Sequence, residues 1–197
     1  MEIDQAIIQL GINLDDWFDK NRATFESQDR AAQGTALLRG FDLVKKLDRL
    51  KADGMAAIAA LLARNESISS DERVASLLRG FEFAARLADI LYDELLDTDG
   101  ERAVRRSMDA IVQALHKVGR GRAALETLFE SPDARVRGTA AAYLIDLVPE
   151  RAVPLLGEIE QNEHANSAHF NAHWALLAWE RERKSRFNYL YEKPVQR

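Results

Sequence analysis

The stretch SPDARVRGTAAAYLIDLVPERAVPLLGEIE, from Ser131 to Glu160, reads as two helices joined by a tight turn. Ser131 is the expected N-cap, its hydroxyl accepting from an orphan amide of the first turn. Pro132 follows where a missing N–H costs nothing, and Asp133 adds negative charge at the positive end of the helix dipole. Val136, Ala140, Tyr143, Leu144 and Leu147 then fall at i, i+4, i+7, i+8 and i+11, one face of an α-helix. Pro149 sits just past its end and is expected to stop it. The second helix carries Ala152, Leu155, Leu156 and Ile159 on one side. The small residues from Gly138 to Ala142 would let a neighbouring helix approach closely.

This pattern resembles a HEAT-like repeat, on Pro132, Asp133, Val136, Arg137, Ala140, Ala141 and Leu144. More narrowly, Arg122 to about Glu180 is similar to a bacterial HEAT-like domain family of unassigned activity. That likeness rests on Val136-Arg137, the alanine run, the VPERA segment and the Ala-Trp near the end. Some members of that family serve as immunity proteins for secreted toxins. The resemblance implies stacked helical hairpins and a protein partner. It does not cover the first hundred residues.

Composition bounds the rest. Among 197 residues, 47% are hydrophobic, with only ten Gly and four Pro. Ala, Leu, Arg, Glu and Asp dominate and runs of β-branched residues are absent, which is a helical composition. The expected fold is therefore all-α, with helical hairpins stacked as an α-solenoid-like array of about eight or nine helices. The chain is expected to be one helical domain: residues 1–119 a bundle or irregular repeats, 120–186 HEAT-like repeats, and 187–197 a tail. Zero Cys excludes disulfides and thiolate chemistry. MEIDQAII lacks the basic region and apolar core of a signal peptide, and no apolar run approaches a membrane span of about 20 residues. A cytoplasmic protein is the expectation. A net charge of −5 argues against general nucleic-acid binding.

Along the chain, helices are expected over Ile3–Phe25, Gln28–Leu50, Met55–Arg64, Asp71–Asp97, Glu101–Val118, Arg122–Glu130 and Ala168–Lys184. Asp53-Gly54 and Thr98-Asp99-Gly100 are read as breaks, Gly119 as a C-cap, and Ser69 with Glu72 as a capping box. Leu37, Leu38, Phe41, Val44 and Leu47 are the expected core side of the second helix. The segment LLRGFD at Leu37–Asp42 recurs as LLRGFE at Leu77–Glu82, 40 residues later, a spacing that HEAT-type pairs use. The repeated residues are mostly apolar or small, which favours duplicated packing over duplicated ligand sites at Arg39 and Arg79.

Several groups could carry chemistry. His164, His169 and His173 cluster, the last two at i, i+4, and Glu160 or Glu163 could join them on a metal. No HExxH pattern accompanies them, so a polar helix face or a partner surface is the preferred reading. LYDELLDTDGE concentrates Asp93, Glu94, Asp97, Asp99 and Glu101, followed by Arg102, Arg105 and Arg106. The readings here are a solvated helix end, an acidic patch docking a basic protein, or an acid/base pair. Asp15, Asp16 and Asp19 flank Trp17 and Phe18. Trp174 and Trp179, five apart, cannot share one narrow stripe, so one is available to a partner. The tail alternates Phe187, Tyr189 and Tyr191. No catalytic triad order, phosphate loop or dinucleotide fingerprint occurs.

The leading expectation is a protein-binding module, concretely an immunity protein that occludes the active site of a cognate, basic bacterial toxin. Its partner-binding residues would be Asp93, Glu94, Asp97, Asp99, Glu101, His169, His173 and Trp174. No catalytic residue, metal, cofactor, small-molecule ligand, nucleic acid or membrane is expected. The alternatives are a DNA-repair enzyme, since some alkylbase DNA glycosylases are built from HEAT-like repeats, and a scaffold or adaptor.

Overall fold

The computed structural model describes residues 30–63, 70–93, 97–162 and 167–182. The expected first helix with its Trp17-Phe18 pair, Ser69, Glu94, His164 and the aromatic tail lie outside these residues. So do the side chains from Leu37 to Val44, that of Leu47, and that of Asp93. Among the described residues there are seven α-helices and one 3₁₀ turn, and no strand. They are α1 (Arg30–Ala63), α2 (Ser70–Asp93), α3 (Thr98–Lys117), α4 (Gly121–Glu126), the 3₁₀ turn (Thr127–Glu130), α5 (Ala134–Leu144), α6 (Pro149–Asn162) and α7 (Ser167–Glu182). The protein is all-α. The chain divides into two compact units, Met1–Ala60 and Leu61–Arg197.

In the first unit, α1 runs unbroken through Asp53-Gly54, where the sequence suggested a turn. Gly54 is buried one turn before buried Ile58, so this glycine serves packing along a helix face. The separate helix expected from Met55 is the end of α1.

The second unit is built on pairs. α2 packs along α3, α5 packs on α6, and α7 covers both α5 and α6. On α3 the buried residues are Gly100, Val104, Met108, Ile111, Val112 and Leu115, the spacing of a single stripe. α2 behaves differently. From Phe83 to Leu91 every residue is buried, including Arg86 and Asp89. It touches α3, α4, α5 and α7, and a stretch covered on all sides must bury what an amphipathic helix would leave in water. In the second copy of the repeated segment, Leu77 and Phe81 are buried, while Arg79 is exposed and donates to Ser76.

Tyr143 on α5 ties the pairs together. It is fully buried, meets Phe81 of α2 edge-on at 5.5 Å, and donates its hydroxyl proton to Asp109 of α3 at 2.6 Å. Gly138 lies against α6, where a Cβ would stand 3.4 Å from the end of the Ile159 side chain, an ordinary packing distance.

Four boundaries differ from the sequence reading. The N-cap of α5 is Asp133, not Ser131: its Oδ1 accepts from the Arg135 amide at 3.0 Å, and Pro132 precedes the helix. A carboxylate caps as well as a hydroxyl and also complements the dipole. Pro149 does not stop α5, which ends at Leu144; it opens α6, where its fixed φ suits the first turn. Thr98-Asp99-Gly100 is not a break but the first turn of α3, capped by Asp97, whose carboxylate accepts from the Gly100 amide at 2.8 Å. The stretch from Arg122 to Glu130 is no single helix: α4 tightens into 3₁₀ geometry at Thr127. Gly119 closes α3 as read, with φ of +72°.

Candidate functional site

α7 carries the most conspicuous surface. Ala168 and Ala172, one turn apart, are buried. Their small side chains bring the helix close to α5 and α6. The turns facing away hold Phe170 and Trp174, which are 50% and 62% exposed. These two are spaced i, i+4 and so share a face. Burying large aromatic surface is worth about 25 cal/mol per Å², so leaving two rings in water forgoes on the order of a few kcal/mol. Trp179 is only half-buried. Of the two tryptophans on α7, the structure therefore exposes Trp174 more.

His169 and His173 both turn toward Glu160, at the end of α6. The His169 Nδ1 lies 2.8 Å from the Glu160 backbone carbonyl, and the His173 Nδ1 lies 2.7 Å from its Oε1. Both oxygens only accept, so each imidazole carries a proton on Nδ1. The pair thereby locks the start of α7 to the end of α6 and fixes the ring of His173 edge-on to Trp174, centroids 5.7 Å apart. Among the described residues no three His, Cys, Asp or Glu side chains assemble in a way that could hold a metal.

The acidic run is dispersed into separate tasks. Asp93 ends α2. Asp97 caps α3. Glu101 forms an ion pair with Arg105. Asp99 is fully in solvent, with Arg102 3.9 Å away. An acidic start is what a helix dipole favours, and it accounts for this cluster locally. The run nonetheless meets α7 through a polar chain. Arg105 donates to the Asn171 side-chain oxygen at 3.4 Å, and the Asn171 amide donates to buried Asp89 at 3.1 Å. Asn171 is the neighbour of Phe170 in sequence. The Glu101–Arg105–Asn171–Asp89 chain thus fixes how α7 presents its aromatic face.

A second polar cluster lies at the N-terminus of α5. Arg86, 6% exposed, donates to Asp133 Oδ2 at 2.9 Å, while Arg135 donates to Oδ1 at 3.1 Å. Burial alone would raise the Asp133 pKa. The charges and hydrogen bonds of Arg135 and Arg86 outweigh it and hold the carboxyl below its ordinary range.

An open cleft of about 590 Å³ lies beside this cluster. Phe129, Glu130, Ser131, Pro132 and Arg137 form one side, and Glu150, Arg151, Pro154, Leu155 and Glu158 of α6 form the other. Arg137 donates to the Ser131 carbonyl at 2.8 Å. Arg151 is paired with Glu126 and stands 5.2 Å above the Phe129 ring.

The sequence reading missed Phe170 and the cleft. Phe170 was legible from its spacing to Trp174, with Ala168 and Ala172 marking the inner side. The cleft had no sequence signal, because its two walls are charged helix and turn positions that read as solvated surface. Family models, curated proteins and solved structures yield no match to this chain.

Proposed function

We propose that this chain is a protein-binding module of HEAT-like architecture, acting in the cytoplasm as an immunity protein that neutralises a cognate basic toxin by covering its active site. The observation that carries the binding part is the exposed Phe170–Trp174 pair on α7. Contiguous exposed aromatics mark interaction surfaces in soluble proteins, and Trp is the most enriched residue at energetic hot spots. The His173–Glu160 pair and the Asn171 chain support the reading, because a pre-set surface loses less entropy on binding. The packed α2–α3 and α5–α6 pairs support the HEAT-like arrangement. The toxin part rests on the resemblance of residues 122–180. Asp99 at the outer end of the acidic run would steer a basic partner rather than anchor it.

The test is tagged purification from the native host with partners counted by mass spectrometry, followed by calorimetry on the purified pair. One stoichiometric partner is expected, with nanomolar Kd weakened at least about a hundredfold by Phe170→Ala/Trp174→Ala, as hot-spot truncation produces. A double variant that binds as tightly as the native chain would overturn the reading, as would the lack of any stoichiometric partner. Inhibition of the partner's activity decides the toxin part.

A further inference from the structure

We propose that the cleft between the 3₁₀ turn and α6 seats an extended, arginine-bearing segment of a basic protein partner. The inference deepens the protein-binding reading, on which it rests for the identity of the partner but not for the chemistry of the cleft.

Three glutamates line the cleft, Glu130, Glu150 and Glu158, all exposed. Among the described residues none of their carboxylates has a hydrogen bond or ion pair. Of the two arginines, Arg151 is matched by Glu126, which lies outside the lining. Arg137 gives a hydrogen bond to the neutral Ser131 carbonyl and keeps its charge unmatched. Three unmatched carboxylates therefore face one unmatched guanidinium. A cationic occupant is favoured and an acidic one repelled.

The apolar members, Phe129, Pro132, Pro154 and Leu155, offer faces for an aliphatic stem and a flat head group. A guanidinium is weakly hydrated, planar and able to hold carboxylates through two parallel bonds, whereas an ammonium keeps its water.

The α6 wall runs from Glu150 to Glu158, a rise of about 12 Å at about 1.5 Å per residue. That length takes three to four residues of extended chain at about 3.3 Å each. The volume of about 590 Å³ is in the range that binding clefts use. Glu160 points about 200° around α6 from Glu158. The cleft and the His173–Glu160 pair therefore occupy opposite sides of that helix.

The test is fluorescence anisotropy of the full chain with labelled peptides GRGRGRG, GKGKGKG and GEGEGEG, at about 50 and 150 mM salt, where screening differs measurably. Saturable binding of the arginine peptide is expected, weakened at least about tenfold by Glu130→Gln/Glu150→Gln/Glu158→Gln, since three close charges are removed. Asp48→Asn/Asp53→Asn/Glu180→Gln removes the same charge at exposed positions elsewhere and should change binding less than about twofold. No saturable binding, preference for the glutamate peptide, an unaffected cleft variant, or equal loss in both triple variants would each overturn the proposal. Equal binding of the lysine peptide would overturn the arginine assignment. If the peptide binds at the cleft but no cellular partner exists, the protein-binding reading falls alone. If a partner is captured through Phe170 and Trp174 while the arginine peptide fails, the cleft inference falls alone.

Discussion

Asp133→Ala is expected to cost about 3 to 4 kcal/mol of folding stability, from two separate losses. The first is the cap: Asp133 accepts from the Arg135 amide, and loss of an N-cap costs about 1 kcal/mol. The second is larger. Arg86 is 6% exposed and loses the carboxylate that sits 2.9 Å from its Nε. Removing one partner of a buried ion pair costs about 3 to 5 kcal/mol, because a charge is left without compensation. Glu82, 3.9 Å from Arg86 and better solvated, takes up part of that charge and brings the total to the low end. Urea unfolding followed by helical circular dichroism at pH 7 measures the loss against a total stability of about 5 to 15 kcal/mol. Adding Arg86→Met should recover most of it, since an apolar pair in place of a buried ion pair is close to neutral. The pH dependence has a definite sign. The folded-state pKa of Asp133 is lowered, so its contribution is complete above the ordinary 3.8 and disappears as pH falls through the lowered value. Native and variant stabilities should converge in acid. A loss under about 1 kcal/mol, or a double variant no more stable than Asp133→Ala, would refute the claim that this pair is buried and costly to break.

Tyr143→Phe should cost about 1 to 2 kcal/mol in the same unfolding assay, because it leaves Asp109 without the hydroxyl that reaches it at 2.6 Å. His116 has its pKa lowered by burial, so protonation favours the unfolded chain: stability should fall as pH drops below the ordinary 6.5, and His116→Gln should flatten that part of the profile. Gly121→Ala should lower the midpoint of thermal unfolding, since the new Cβ would stand 2.9 Å from the His116 ring; an unchanged midpoint would mean that the ring moves freely. Phe170→Ala/Trp174→Ala should leave thermal stability within about 0.5 kcal/mol of native, as exposed positions do, which separates their binding role from a structural one.

The helical class was legible because a stripe such as Val104, Met108, Ile111 and Leu115 repeats the period of a single buried face. What failed were judgements that depend on neighbours. Asp53-Gly54 has the chemistry of a turn, yet Gly54 is buried in a continuous helix, where packing overrides local preference. Ser131 and Asp133 are both competent caps, and sequence cannot rank them without knowing that Arg86 waits beside Asp133. The burial of Arg86 and Asp89 had no signal in the sequence, because nothing in one helix tells how many others will cover it. At the candidate site, the spacing of His169 and His173 was readable, and Glu160 was already named as a partner for them. That their shared use of it orients Trp174 required the packing of α6 on α7.

The enclosure of α2 bears on how the 61–197 unit comes apart. A helix whose stretch from Phe83 to Leu91 is wrapped on every side has no stable existence before its wrappers arrive. A chain cut after Asp146 would lose α6 and α7, baring the surfaces of α5 that they cover and leaving Asp89 without Asn171. No single hairpin here can then serve as a free-standing brick. Limited proteolysis should yield either the intact unit or small peptides, with no long-lived fragment between, because the same buried helix is the last to be released and the first to be missed.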